Sequence, residues 1–172
     1  MRLLLLLSIG AALYGESVAG LKWSPPAGWK SSGTTSMRAA TYPVAPAPGD
    51  REGAECAVYF FGPGQGGPIQ ANLDRWKGQF KDSGGKPATA KVNKLTIHGL
   101  PVTTIDVSGQ YSGMGGPTAA TPAVVSGYRL LGAIVEAPGG NVFIKFTGPA
   151  KTMAANQAKF QQLLDSFEKI NK

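Results

Sequence analysis

The segment from Cys56 to Phe80 constrains the fold of this chain most, because it couples an apolar strand to an amphipathic helix through a glycine-rich turn. The strand, residues 55–61, is almost entirely apolar, which is typical of a strand covered on both faces. The helix is predicted from Pro68 to Phe80, and its apolar side chains form one stripe: Ile69, Leu73, Trp76 and Phe80. We therefore expect a sheet with this helix packed against one of its faces.

The glycine turn of this segment matches the pattern G-x-G-x-x-G at Gly62, Gly64 and Gly67. In dinucleotide-binding proteins such a turn faces a pyrophosphate, and an acidic residue about 20 positions further on binds the ribose. Residues 85–90 contain no acid, the prolines beside the glycines lack amide donors, and no Lys-Ser or Lys-Thr pair follows as in a P-loop. The turn is therefore predicted to pack the helix close to the sheet and to bind no nucleotide cofactor.

The rest of the chain is predicted to add hairpins and a second helix. The predicted strands are residues 21–23, 37–44, 91–97, 100–107, 127–137 and 141–147. The stretch Gly109–Ser126, rich in small residues, is predicted as a long loop, and the last helix is predicted to open at Gly148 and to reach Ile170. Hairpins rather than crossovers follow the first helix. The predicted fold class is therefore α+β, a mainly antiparallel sheet of about six to seven strands flanked by two main helices.

The first residues are typical of a secretory signal. Arg2 supplies a positive charge, and the apolar stretch 3–13 is too short to span a bilayer, which takes about 20 residues. Because small residues precede Gly20, residues 1–19 are predicted to be a signal peptide that is removed before Gly20; the alternative is a retained membrane anchor. Residues 20–172 suit a single domain. We expect it to be exported to the periplasm or the cell exterior, with no integral membrane segment after cleavage.

The charge balance of the chain is basic, with 17 Lys and Arg against 10 Asp and Glu and a formal net charge of +7. A basic exported protein is expected to meet an anionic envelope component or a protein, and not nucleic acid. The bases are spread along the chain, so a solvated, lysine-rich surface explains them as well. We expect a monomer whose partner is unidentified.

Side chains suited to catalysis are sparse in this sequence. The single cysteine, Cys56, cannot form an internal disulfide, and its place in an apolar strand predicts a buried hydrophobe. The single histidine, His98, lies in a predicted hairpin turn, with Asp106 and Ser108 toward the far end of the same hairpin. One His, one Cys and scattered acids supply no converging metal ligands. We therefore predict no catalytic residue, no cofactor, no metal site and no enzymatic activity.

Three functions remain open from the sequence. The first is a non-enzymatic accessory or protein-binding module, favoured by the sparse catalytic chemistry and by the predicted loop Gly109–Ser126. The second is a small-molecule or lipid binder that uses a crevice between sheet and helix, lined by Trp76, Tyr59 and Tyr128. The third is a hydrolase that uses His98. The side chains predicted to form a ligand or partner surface are Tyr59, Trp76, Tyr128, Tyr111 and Met114.

Several motifs carry a resemblance to a known fold class. They are Trp23…Pro-x-Gly-Trp29, Met37-Arg-x-Ala, Asn72-Leu-x-Arg-Trp76-x-x-Gln-Phe80, Phe143-x-Lys-Phe-Thr-Gly-Pro149 and Phe160-x-x-Leu-Leu-x-Ser-Phe167. With these motifs the chain resembles exported bacterial proteins of the PsbP-like α/β/α class, a fold shared by an extrinsic photosystem subunit, bacterial envelope proteins and a Ran-binding nuclear transport factor. The resemblance implies an antiparallel sheet between helices and an accessory or binding role without catalysis. The look-alikes are uncharacterised, so the resemblance assigns no ligand residue.

Overall fold

A computed structural model of the chain describes residues 16–113 and 124–170. Within these residues the chain forms ten strands and two helices. In chain order they are β1 Glu16–Val18, β2 Leu21–Trp23, β3 Arg38–Val44, β4 Ala54–Tyr59, α1 Ile69–Gly78, β5 Phe80–Lys81, β6 Ala90–Ile97, β7 Leu100–Ser112, β8 Val124–Ala137, β9 Gly140–Pro149, α2 Ala150–Asp165 and β10 Glu168–Lys169. The predicted order of strands and helices is present, and the three short strands β1, β5 and β10 are additional.

Seven of the described strands form one antiparallel sheet. Its order is β3-β4-β9-β8-β7-β5, and β6 also pairs with β7. The long strand β7 pairs with both β5 and β6 along the same edge: its first part pairs with β6 and its last residues pair with β5. The predicted α+β class, a mainly antiparallel sheet flanked by two main helices, is confirmed.

The two helices lie on opposite faces of this sheet, because successive side chains of a strand point to opposite faces. In β9, Ile144 and Phe146 join the core under α2, whereas Phe143 joins a second core with Leu73 and Trp76 of α1. Helix α1 has 10 residues and α2 has 16. The shorter helix covers less of its face, and this difference creates the site described below.

The glycine turn before α1 has a packing role. Gly66 has a φ of +89°, and a Cβ added to it would lie 2.5 Å from the ring of Phe143. The side chain of Asn72 in α1 donates hydrogen bonds to the carbonyl oxygens of Gly66 (2.8 Å) and Pro68 (2.9 Å). These contacts hold the turn against the sheet and the first turn of the helix. The motif glycines Gly62, Gly64 and Gly67 also have positive φ, but an added Cβ at each would meet no atom closer than 3.6 Å, so the close packing predicted for them lies at the neighbouring Gly66.

The short strands β1, β2 and β10 form a second sheet with β2 in the middle. The indole N–H of Trp23 contacts the Glu16 carboxylate (3.0 Å) and the Tyr42 hydroxyl (2.9 Å), and that hydroxyl donates to the same carboxylate. Strand β1 thus belongs to the fold although it precedes Gly20. The signal peptide and its cleavage before Gly20 stay predictions. Neither helix of the described part of the chain is long and apolar enough to cross a membrane.

The helix predicted to reach Phe80 ends at Gly78, and Phe80 begins β5. Two further predicted element boundaries were wrong. The predicted loop Gly109–Ser126 is shorter, because β7 continues to Ser112 and β8 begins at Val124, where the two strands still pair. The last helix does not reach Ile170, since α2 ends at Asp165 and the chain continues into β10. In both places sheet pairing extends further than the local sequence pattern indicates.

Candidate ligand-binding crevice

The face of the large sheet under α1 is only partly covered. Helix α1 packs over β7 and β8, and the Trp76 indole comes so near Gly132 that a Cβ added there would lie 2.6 Å from it. Across the sheet, Gly132 of β8 is paired with Lys145 of β9, which is paired in turn with Ala57 of β4. The small residues on both sides of Lys145 leave its long side chain unobstructed by its neighbours in the sheet.

Two adjoining clefts open on the uncovered part of this face. The smaller, of about 330 Å³, lies beside α1 and includes Trp76 in its lining. The larger, of about 1020 Å³, includes Tyr111 and Tyr128 in its lining. Because Arg38, Tyr59 and Lys145 line both, we treat the two clefts as one site. We call it the Lys145 crevice: the two clefts bounded by Arg38, Tyr59, Trp76, Tyr111, Tyr128 and Lys145.

Aromatic rings form the walls of the Lys145 crevice. In the larger cleft Tyr111 and Tyr128 are stacked, with ring centroids 5.6 Å apart and an interplanar angle of 3°. Beside the smaller cleft Tyr59 and Phe61 are stacked at 6.0 Å and 11°. All four side chains are half-buried. Such walls suit flat or apolar ligand groups.

Lys145 supplies a cation at the centre of this site. Its Nζ donates to the side-chain oxygen of Gln79 at 3.0 Å and to the Tyr111 hydroxyl at 3.3 Å. Both acceptors are neutral, and no carboxylate in the described ranges lies within salt-bridge distance of the ammonium. Burial, followed by the nearby charge of Arg75, lowers the pKa of Lys145 to about 8. At neutral pH the site therefore holds a half-buried ammonium that forms no salt bridge with a carboxylate of the described residues.

Two arginines add positive charge around Lys145. Arg38 pairs with Glu55 at 2.9 Å, and its guanidinium carbon lies 5.3 Å from the centre of the Tyr59 ring. Arg75 donates to the side-chain oxygen of Asn72. Among the described lining residues of the two clefts, Glu55 is the single acid, so positive charge predominates.

The tyrosines do not offset this positive charge. Burial is the largest cause that raises the pKa of Tyr59 and of Tyr111 above the ordinary phenol value. Burial, together with the hydrogen bond from the Tyr128 hydroxyl to Glu52 at 2.5 Å, raises the pKa of Tyr128 to about 12. All three phenols are therefore neutral at neutral pH.

The structure brings together most of the side chains that the sequence analysis selected. Tyr59 and Trp76 line the smaller cleft, and Tyr59, Tyr111 and Tyr128 line the larger one. Met114 lies outside the described residues. The sequence analysis missed the cations of the site, which are Arg38, Arg75 and Lys145. One signal pointed to Lys145: it is a lone charge within the apolar run of β9.

The side chains considered for catalysis lie apart from one another. Cys56 is fully buried in the core under α2, where burial raises the pKa of its thiol well above the usual value. The His98 Nδ1 lies 3.0 Å from the carbonyl oxygen of Phe167. Asp106 accepts two hydrogen bonds from Arg129, at 2.9 and 2.7 Å. The expectation of no enzymatic activity stays a prediction.

The fold can now be placed among known structures. The elements define an α+β sandwich with a partly covered sheet face, and the chain has a PsbP-like fold. It is similar to the solution structure of cyanobacterial PsbP (CyanoP) from Synechocystis sp. PCC 6803, with a TM-score of 0.53 and 11% identity over 94% of this chain and 95% of that chain. It is also similar to the crystal structure of PA94, a protein of unknown function from Pseudomonas aeruginosa, with a TM-score of 0.49 and 14% identity over 88% of this chain and 93% of that chain. No protein-family model and no curated protein matches the sequence.

Proposed function

We propose that this chain is an exported, non-enzymatic binding module that holds a small molecule in the Lys145 crevice. The proposal is carried by one observation: aromatic walls surround a half-buried ammonium whose partners in the described chain are neutral. Small-molecule sites are typically clefts of about 300–1,000 Å³ with apolar and aromatic linings and a few polar groups. The two clefts, of about 330 and 1020 Å³, span this range.

The lining residues favour binding over chemistry. They offer ring surfaces, methyl groups and positive charge, whereas nucleophilic catalysis needs a nucleophile beside a base. The hydrolase hypothesis relied on His98, which lines neither cleft. Lys145 contacts an amide and a phenol rather than an acid–base partner.

The hypothesis of a protein partner has less support than a small ligand. It relied on the predicted loop Gly109–Ser126, and residues 114–123 of that loop lie outside the described ranges. The six residues that define the crevice, in contrast, lie in strands and in α1, which position a ligand more precisely than a loop does.

Two measurements test the proposed function. Native mass spectrometry of the protein purified from its own host should detect a co-purified small molecule. Titration with N-phenyl-1-naphthylamine, a neutral probe that fluoresces in apolar sites, should show saturable binding. The proposal is overturned if the wild-type chain carries no small molecule and gives no saturable signal.

A matched pair of variants locates the bound probe. Met37 lines the smaller cleft and is 55% exposed, and Val92 lies on β6 outside the crevice and is 46% exposed. Because both side chains are exposed, Met37→Trp and Val92→Trp should fold equally well. We expect Met37→Trp to weaken probe binding and Val92→Trp to leave it unchanged; equal effects of both variants would contradict the proposed site.

A further inference from the structure

We propose that the ligand of the Lys145 crevice is an amphipathic organic acid, whose acidic group binds beside Lys145 and whose apolar part occupies the smaller cleft. This inference rests on the proposed function and gives the chemical class of its ligand. It follows from the charge, the hydrogen bonds and the apolar lining of that cleft.

The charge in the smaller cleft is positive. Arg38, Arg75 and Lys145 line it, and no acidic residue is found among its described lining. The acid that lines the larger cleft, Glu55, is already paired with Arg38 at 2.9 Å. A cavity whose lining carries charge of one sign concentrates ligands of the opposite sign.

The hydrogen bonds of Lys145 leave one donor for a ligand. An ammonium group has three N–H donors. Two acceptors, the Gln79 side-chain oxygen and the Tyr111 hydroxyl, are present within the described residues. A carboxylate oxygen at the third donor would form a charge-assisted hydrogen bond, which is shorter and stronger than a bond between neutral groups.

Because Lys145 is half-buried, an anion bound beside its ammonium is stabilised more than an anion beside an exposed lysine. Removing an ammonium from water is unfavourable unless an opposite charge accompanies it. Lys145 is half-buried between β4 and β8. A bound acid would supply the counter-charge that the described part of the chain does not place there.

The apolar part of the ligand is indicated by the other side chains of the smaller cleft. Besides the cations, the lining includes the side chains of Met37, Phe61, Trp76 and Phe143. A ligand with an apolar part would bind favourably here, because it would remove the apolar surface of these side chains from water. An inorganic anion would satisfy the ammonium and leave this surface wet, so an acid with an apolar body fits the cleft better.

The experiment compares 2-naphthoate with 2-naphthamide, which have the same ring and differ in charge. Isothermal titration calorimetry at pH 7 should show that the wild-type chain binds the acid about tenfold or more tightly than the amide, the effect of one charge-assisted hydrogen bond. In Lys145→Met this preference should disappear, and in Lys145→Arg, which keeps the charge, it should largely remain. Equal affinities for acid and amide in the wild-type chain would overturn the inference.

Charge variants at the rim test the same inference without touching Lys145. Met37→Glu should weaken naphthoate binding and Met37→Lys should strengthen it, by severalfold each, through the field within the cleft. Val92→Glu and Val92→Lys make the same changes of net charge outside the crevice and should have little effect. If the Met37 and Val92 variants behave alike, the acid does not bind in this cleft and the inference is wrong.

The outcomes separate this inference from the proposed function. If N-phenyl-1-naphthylamine binds in the crevice but the acid shows no preference over the amide, the crevice binds neutral ligands: the inference fails and the proposed function stands. If neither the neutral probe nor naphthoate binds the wild-type chain, both fail.

Discussion

The ammonium of Lys145 lies 3.0 Å from the side-chain oxygen of Gln79, the residue that caps the C-terminal end of α1. This contact joins the middle of the large sheet to the end of the helix. The C-terminal end of a helix carries a partial negative charge, which favours a cation near it. The backbone oxygen of Gln79 also accepts a hydrogen bond from the Ser112 amide at 2.9 Å, so β7 holds this end of α1 in place. The position of the charge is thereby fixed by the fold.

The titration of Lys145 is the first prediction. Its side chain should lose its proton near pH 8, well below the ordinary lysine value of about 10.5, because burial and Arg75 disfavour the charged form. The 13C chemical shift of the Lys145 Cε, followed against pH, measures the midpoint of this deprotonation. The signal is assigned by its absence from the spectrum of Lys145→Met. A midpoint near the ordinary lysine value would show that the ammonium is well solvated.

The same shift has a consequence for stability. Because the pKa of Lys145 is lower in the folded chain than in the unfolded one, the unfolded state binds more protons between pH 8 and about 10.5. The charged lysine therefore destabilises the fold by up to about 3 kcal/mol below pH 8, and this cost fades as pH rises through that window. Denaturant unfolding should show that the free energy of unfolding of the wild-type chain increases, relative to that of Lys145→Met, as the pH rises through this range.

Gly132 is predicted to be intolerant of a side chain. A Cβ at this position would lie 2.6 Å from the Trp76 indole and 2.8 Å from Ile105, so Gly132→Ala should displace α1 and cost about 1–3 kcal/mol. Gly78, inside α1, has no atom within 4 Å of an added Cβ. Gly78→Ala should therefore be neutral or stabilise by up to about 1 kcal/mol. Thermal unfolding of the two variants measures both effects, and similar melting temperatures would argue against a close helix–sheet contact.

Strand β1 is predicted to contribute to stability. A chain that begins at Gly20 lacks the Glu16 carboxylate, which contacts the Trp23 indole and the Tyr42 hydroxyl, and lacks the carbonyl of Ala19, which accepts a hydrogen bond from Gly139. We expect it to be about 3 kcal/mol less stable than a chain that begins at Glu16, at about 1 kcal/mol for each of these three hydrogen bonds. Equal unfolding midpoints for the two chains would mean that β1 contributes nothing to stability.

The start of α2 depends on a cap from a distant loop. The Asp50 carboxylate accepts hydrogen bonds from the Thr152 backbone amide at 2.8 Å and from its hydroxyl at 2.7 Å. Asp50→Ala should cost about 1–2 kcal/mol, as the loss of a helix cap does. Within the part of the chain that the structure describes, Asp74 accepts one side-chain hydrogen bond, from Gln70 on the exposed side of α1, so Asp74→Ala should cost less than about 0.5 kcal/mol. A cost at Asp50 no larger than at Asp74 would refute the capping role.

The sequence predicted most of the sheet because alternation and β-branching are local signals. It missed three short strands: β1 and β10, which pair with β2, and β5, which pairs with β7. Phe80 and Phe167 lie at helical spacing from the buried stripes of α1 and α2, and both are buried. Apolar side chains at this spacing predicted that both residues belong to the helices. In the structure the backbone at Phe80 is already a strand, and α2 has ended before Phe167.

Only part of the crevice could be predicted from the sequence. Its aromatic side chains are conspicuous in the sequence, and the interpretation of a crevice between sheet and helix named Tyr59, Trp76 and Tyr128. The cations Arg38 and Lys145 join them only because β4 lies between β3 and β9 in the sheet. That strand order depends on long-range pairing, which local patterns do not encode.

The pH dependence of acid binding tests the central claim most directly, because it links the ligand to the protonation of Lys145. The other charged or titratable groups around this lysine are Arg38, Glu55, Tyr59, Arg75 and Tyr111. Burial raises the pKa of both tyrosines. Lys145 is therefore the group expected to change charge between pH 7 and 9.5.

The measurement is the dissociation constant of 2-naphthoate from pH 6.5 to 9.5 for the wild-type chain and for Lys145→Arg. The wild-type affinity should be constant below about pH 8 and fall toward tenfold per pH unit above it, whereas Lys145→Arg should bind with a flat profile. Parallel profiles for the two chains would contradict the account, because the acid would then bind without contact with the Lys145 ammonium.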